Sequence, residues 1–288
     1  MSAENKLLNF LKLIQNLNES LIFQIAEIGA NPYGNNDEPF HKILDYFPNS
    51  KVYAFEVDKD ECEKLNNLSK EGIKFFPFAL GNKKEKRKFY ETNNPMCSSL
   101  YKPNEKLIEL YNNLEVAYLK RTIDIETISL DCFLEEQKIN SLDFIKIDIQ
   151  GAELDVFHGA VNSINSVLMI VSEVEFISQY INQPLFGDVS SFLNKYNLMF
   201  HKFLGIGGRT LKPVIQNNDI NFVSQFIWSD AVFIRNILKI SGMNSSELLK
   251  LAVFSYLYKS PDLTFYCLTF YDKINNTNSS ELFKKINI

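Results

Sequence analysis

The chain has 288 residues, 45 % of them hydrophobic and 23 % charged, with 30 basic against 35 acidic side chains. That is the balance of a soluble globular chain, long enough to bury about three quarters of its unfolded surface without a metal or disulfide staple. The net charge of −5 and the pI near 5.4 argue against a nucleic-acid binder, which would carry a basic stripe. The longest apolar runs, near Val167–Val171 and Leu251–Leu257, are far below the roughly 20 residues needed to span a bilayer, and no signal-peptide core follows Met1. Cys62, Cys97, Cys132 and Cys267 are isolated, as are His41, His158 and His201, so neither a zinc pattern nor a disulfide framework is indicated and no metal is expected. A reducing, cytoplasmic compartment fits best.

In chain order, Leu7, Leu8, Leu11, Ile14 and Leu17 recur at helical spacing and predict an amphipathic helix over residues 4–18. Residues 21–28 read as an apolar strand running into Gly29-Ala30-Asn31-Pro32-Tyr33-Gly34. A helix over 37–46, a strand over 51–56, a helix over 58–70 and a strand over 73–80 follow. The charge run 83–88 reads as a solvated hairpin tip, and 92–104 as an irregular loop. A short strand at 121–125, a helix at 127–138, an apolar strand at 142–149, a helix at 152–165 and a strand at 167–174 continue the alternation. A helix at 186–197 precedes a strand at 198–204. Gly205–Gly208 is a loop, Gly205–Arg209 reads as a gating element or simply as a long hairpin, and 231–235 is a last strand, antiparallel to 198–204 at one edge. Strands alternating with helices predict a mostly parallel sheet covered on both faces. Residues 245–258 and 263–274 read as a helical hairpin. The expected organisation is an N-terminal helix over 1–20, a main domain over 21–236 and a helical appendage over 237–288.

In such a sheet, ligands bind beyond the carboxyl ends of the strands. Glu27 ends the first strand there, and a buried carboxylate needs donors or a cation, which an amino or sulfonium group of a ligand would supply. Gly29 and Gly34 permit close backbone approach. No glycine stands at position 31, so the GxGxxG fingerprint of nicotinamide or flavin enzymes is missing. Glu56, after the second strand, is placed for ribose hydroxyls, while Asp58 reads as a helix cap.

The segment Leu142-Asp-Phe-Ile-Lys146-Ile-Asp148-Ile-Gln-Gly151 is unusual. Alternation puts Lys146 and Asp148 on one face and Ile145, Ile147 and Ile149 on the other. A lysine in a central strand needs a partner. Glu153 follows in the next helix, and Glu173 and Glu175 end the next strand on one parity. The arrangement reads either as a structural ion pair or as a charged floor beneath a ligand.

Taken together these residues resemble the FkbM-type S-adenosylmethionine-dependent methyltransferases. Phe144-Ile-Lys-Ile-Asp-Ile-Gln-Gly-Ala-Glu153 is similar to the family's hIKIDVEGxE signature, and Glu27-Ile-Gly-Ala-Asn31 resembles its DVGANxG loop. Ala54-Phe-Glu56, Phe78-Ala-Leu-Gly81, Ser98-Ser-Leu100 and Thr127-Ile-Ser-Leu-Asp131 resemble further stretches in order, over about residues 21–236. The glycine loop is longer than the family's, and Val57 replaces its proline. The resemblance implies a Rossmann-like class I fold with a mostly parallel seven-stranded sheet. It implies methyl transfer from S-adenosylmethionine to a small-molecule or saccharide hydroxyl. It would place Glu27, Gly29, Ala30, Asn31 and Gly34 on the methionine and ribose side, Glu56 on the ribose hydroxyls, and Phe78, Ala79 and Leu80 beside the adenine. Asp148 would sit beside the methyl group. Glu173 or His201 would deprotonate the acceptor, and Lys146 would neutralise Asp148 or Glu173. Two other readings stand beside it. One is a non-catalytic scaffold using the apolar stripe Leu248, Leu249, Leu251, Ala252, Val253 and Leu257. The other is a nicotinamide-dependent oxidoreductase on a similar sheet.

Overall fold

The computed structural model describes residues 2–30 and 38–287. Helix α1 (Ala3–Leu17) is capped by the Ser2 side chain and leads into β1 (Gln24–Ile28). A 3-10 segment (Pro39–Asp45), β2 (Lys51–Phe55), α2 (Lys59–Leu68), β3 (Ile73–Phe76) and the two-residue β4 (Ala79–Leu80) follow. Asp58 caps α2 as its sequence suggests, accepting from the Asp60 and Glu61 amides. Next come β5 (Glu85–Thr92), the short α3 (Glu105–Ile108), β6 (Leu119–Ile128), α4 (Leu130–Glu136), β7 (Phe144–Ile147), α5 (Glu153–His158) and β8 (Met169–Glu175). The chain continues through α6 (Phe186–Lys195), β9 (Leu198–Phe203), β10 (Gly207–Arg209) and β11 (Gln225–Arg235), then α7 (Ser245–Leu257), α8 (Pro261–Asn275) and α9 (Ser279–Asn287).

The main sheet runs β10-β11-β8-β7-β1-β2-β3, with β9 also paired to β11. Strands β3, β2, β1, β7 and β8 are parallel. β11 is antiparallel to β8, and β9 and β10 are antiparallel to β11. Strand order reverses between β1 and β7, which opens a crevice at their carboxyl ends. The sheet has eight strands where seven were expected. The extra one is β10, formed inside the glycine-rich stretch read as a loop. Residues 83–88 are not a hairpin tip throughout, because β5 pairs with β6 over its whole length and β4 joins them in a separate three-stranded sheet.

The larger correction concerns the C-terminus. It holds three helices, not a hairpin, and they are not an appended unit. Phe10, Leu11 and Ile14 of α1, residues of α7 and α8, and Phe283 of α9 share one continuous core with Ile25, Val52, Phe144, Val171 and Val232 of the sheet. The other face is covered by α4, α5 and α6 around Phe133, Phe157 and Phe192. The stripe offered for partner docking is therefore spent inside the chain: Leu248, Leu249, Leu251, Ala252 and Val253 are fully enclosed. Truncating such a side chain, as in Leu251→Ala, costs about 2–5 kcal/mol. Among the described residues no helix is long and apolar enough to cross a membrane.

Candidate active site

Strand register assembles the site. Glu27 stands opposite Lys146, Asp230 opposite Glu173, and Trp228 opposite Glu175. Parity in β7 and β8 puts Lys146, Asp148, Glu173 and Glu175 on the same face as Phe144 and Val171. Ile145 and Ile147 point to the opposite core, as alternation requires. One face of the sheet is thus apolar at its amino end, under α7 and α8, and charged at its carboxyl end.

Close backbone approach begins at Gly29. It has φ +79°, and a Cβ there would lie 1.9 Å from the Asp148 carbonyl oxygen. Only glycine lets the turn after β1 press against the end of β7. The Asp148 amide in turn donates to the Ile28 carbonyl at 2.9 Å, and the Ala30 amide reaches the Phe55 carbonyl at 3.4 Å. Asn31 and Gly34 lie outside the described residues.

Glu27 is buried, and its Oε2 meets His41 Nε2 at 3.0 Å. His41, isolated in the sequence, is thus partnered by a site residue. Lys146 Nζ donates to Asp230 Oδ1 at 2.8 Å and lies 4.0 Å from Asp148 Oδ2. Its main partner is thus Asp230, which sequence reasoning did not single out, and not Asp148 or Glu173. Burial alone would lower the ammonium pKa, but Asp148 and Asp230 override it and hold the lysine charged.

Gln150 binds the carboxylates together. Its Nε2 donates to Asp148 Oδ1 at 2.9 Å and to Glu173 Oε2 at 2.6 Å. Its Oε1 accepts from the Tyr180 hydroxyl at 3.1 Å, and its carbonyl accepts from Ser99 Oγ at 2.7 Å. Gln150 adopts φ +59° and Gly151 φ +92°, so two left-handed residues fold the turn back over the end of β7. Glu153 Oε1 closes that turn by accepting from the Ile149 and Gly151 amides at 2.8 and 3.3 Å.

These carboxyl groups are short of cations. Burial pushes Glu153 up to about 7 and raises Glu173 and Glu175 well above the usual carboxylate range, with the neighbouring acids adding to each shift. Among the described residues, Glu175 Oε1 and Gln183 Nε2 find no hydrogen-bond partner. Near Lys146, Glu38 is also raised, by burial first, with Glu27 and Asp230 adding to the shift. The Tyr258 hydroxyl, at the end of α7, has no hydrogen-bond partner among the described residues and feels Glu38, Glu27 and Asp230. Glu38, His41, Gln150, Asp230 and Tyr258 thus join the residues singled out from the sequence.

The remaining candidates fall elsewhere. Glu56, beyond β2, accepts from the Asp58 amide at 2.9 Å, and burial raises its pKa. Phe78 is half-buried with its ring 6.1 Å from that of Phe133, while Ala79 and Leu80 are buried in β4. His201 is not brought to the carboxylates. Its Nε2 meets Ser260 Oγ at 2.8 Å, tying β9 to the start of α8, and burial lowers its pKa. Among the described residues no group of three or more acids, histidines or cysteines is arranged to hold a metal ion. A ligand's own positive charge would neutralise these carboxylates, and a cationic ligand of the S-adenosylmethionine type fits this donor set.

A doubly wound sheet with a close-approach glycine at its first turn and a cluster of carboxylates at the reversal point gives the chain a Rossmann-like architecture. The chain belongs to the FkbM methyltransferase family: the profile of the methyltransferase FkbM domain matches residues 27–198, more than half of the chain. It is also similar to the 2-O-methyltransferase NoeI of Sinorhizobium fredii, with 23 % identity over 198 residues covering 65 % of this chain and 77 % of that protein.

Proposed function

We propose that the chain transfers a methyl group from S-adenosylmethionine to a hydroxyl oxygen of a sugar-like acceptor. The observation that carries this reading is the acidic floor at the ends of β7 and β8, where carboxyl groups outnumber cations and Gln150 pins Asp148 and Glu173 side by side. When bound, S-adenosylmethionine supplies an electrophilic methyl on a positive sulfur, which needs no proton to leave.

The residues then divide the work. Glu27, Gly29 and Ala30, with Asn31 and Gly34, hold the methionine and ribose side. Glu56 takes the ribose hydroxyls, and the segment Phe78–Leu80 flanks the adenine. Asp148 places its negative charge beside the methyl group. Glu173 receives the acceptor's hydroxyl proton on a carboxylate oxygen, and its raised pKa makes it a better base than an ordinary glutamate. Lys146 and Asp230 fix the floor from below. Catalysis rests on in-line placement, with reacting atoms about 3–3.5 Å apart. The 2-O specificity in the relative's name supports oxygen as the acceptor atom.

The test is transfer of a labelled methyl group to a panel of glycans and nucleotide-linked sugars. Asp148→Asn is expected to lower turnover by about 100-fold, on the scale of losing one electrostatic contact at a reacting centre. Full turnover by that variant removes Asp148 from the scheme.

A further inference from the structure

Of the chain's four arginines, three are matched. Arg87 Nη1 meets Asp155 Oδ2 at 3.1 Å, and Arg121 clasps Glu91 at 2.6 and 2.8 Å. Arg235 spreads over the carbonyls of Tyr196, Ile164 and Asn165. Arg209, on β10, hydrogen-bonds only its neighbour's carbonyl among the described residues: Nη1 donates to Gly208 O at 2.7 Å, and Asp219 acts on it from beyond ion-pair distance. Its Nε is enclosed without an acceptor, and among the described residues no carboxylate comes within 4.0 Å of it.

The group is nonetheless held in place. The guanidinium lies over the ring of Trp228, 5.0 Å from its centroid. The indole is backed by Gly207, where a Cβ would come within 2.1 Å of the ring. Gly207, Trp228 and Arg209 thus form a stack that positions a cation before any ligand arrives. Register ties this stack to the site, because Trp228 pairs with Glu175 two residues from the Asp230–Glu173 pair. The Cys97 thiol feels both Asp148 and Arg209, which puts the two groups in the same neighbourhood.

An acidic floor repels an anionic acceptor unless a cation at the rim receives the negative group and turns the hydroxyl inward. Resting on the acceptor reading above, we propose that Arg209, held by Trp228, anchors a phosphate group of the acceptor. The acceptor class is then a phosphorylated or nucleotide-linked sugar. Arginine suits this role because its planar fork matches phosphate geometry.

The experiment is calorimetric titration of the full chain with glucose, glucose 1-phosphate, UDP-glucose and inorganic phosphate, with S-adenosylhomocysteine titrated separately. At least one phosphorylated sugar is expected to bind ten-fold or more tighter than glucose and than inorganic phosphate. That advantage should vanish in Arg209→Met and persist in part in Arg209→Lys, with melting temperature as the check on folding. A preference for glucose 1-phosphate over UDP-glucose identifies the monoester as the source of the phosphate, and the reverse identifies the nucleotide. Equal binding of glucose and its phosphate, binding no tighter than inorganic phosphate, binding of none of them, or an advantage that survives Arg209→Met overturns the proposal. S-adenosylhomocysteine binding without a phosphate preference sinks this inference alone. A phosphate preference without S-adenosylhomocysteine binding sinks the methyl-donor reading alone.

Discussion

The two ends of β7 are built on opposite electrostatic plans. At the amino end, Asp143 is closed off: Lys250 Nζ from α7 reaches its two oxygens at 2.8 and 2.9 Å, and the Gln24 amide donates at 2.8 Å. Charge there is matched within the chain. At the carboxyl end, among the described residues, Asp148 lies 4.0 Å from a lysine that is itself committed to Asp230, and Glu153, Glu173 and Glu175 have no ion-pair partner within 4.0 Å. A matched buried pair contributes to holding one structure, whereas an unmatched cluster costs stability in the free chain and, on the function proposed above, is kept for what it binds.

The largest effect should come from breaking the matched end. Lys250→Met strands a buried carboxylate with one amide donor, and we expect a loss of about 3–5 kcal/mol in denaturant unfolding, with S-adenosylhomocysteine affinity unchanged in the fraction that folds. A comparable loss of affinity would mean that the two ends are not independent.

The unmatched end should respond to pH in the direction set by its acids. Glu153 is raised to about 7 in the folded chain from an ordinary 4.5, and Glu173 and Glu175 are raised as well. Each group therefore contributes stability that is complete below its unfolded pKa and is lost as pH rises through its folded one. Thermal melting should fall between pH 5 and 8, by an amount on the order of 1–3 kcal/mol. Glu175→Gln removes one ionising group and should flatten that fall. An unchanged slope would show that Glu175 does not titrate there.

The smallest effect sharpens the account of the clamp. Gln150→Glu replaces the amide that donates to Asp148 and Glu173 with a third acid. The fold should survive, and the acid limb of the pH–rate profile should move up by about one unit, since like charges in contact raise one another. A purely structural role for Gln150 would lower the melting temperature and leave that limb in place.

Much of this was legible in the sequence, for physical reasons. Strand alternation is local, so the shared face of Lys146 and Asp148 followed from adjacent residues, as did the parity of Glu173 and Glu175. Gly29 was identified as a close-approach point, and the structure supplies the backbone that it approaches. The partners were not legible, because they are fixed by tertiary register. Asp230 meets Lys146 from a strand 84 residues further on, and His41 folds back to Glu27 from a 3-10 segment. Gln150 stood within the signature, but a two-carboxylate clamp is visible only once β8 lies beside β7. The C-terminal helices were misread as an appendage although α7 carried a usable signal. Its apolar residues surround the helix instead of forming one stripe, and a helix apolar all round is a core helix.

The most direct measurement is calorimetric titration of the folded chain with S-adenosylmethionine and S-adenosylhomocysteine, with NAD as control. The unmatched acidic floor predicts micromolar binding of the first two and none of the third. A folded chain that binds neither, or that binds NAD in their place, would contradict the claim that the carboxyl end of β7 is built for a methyl donor.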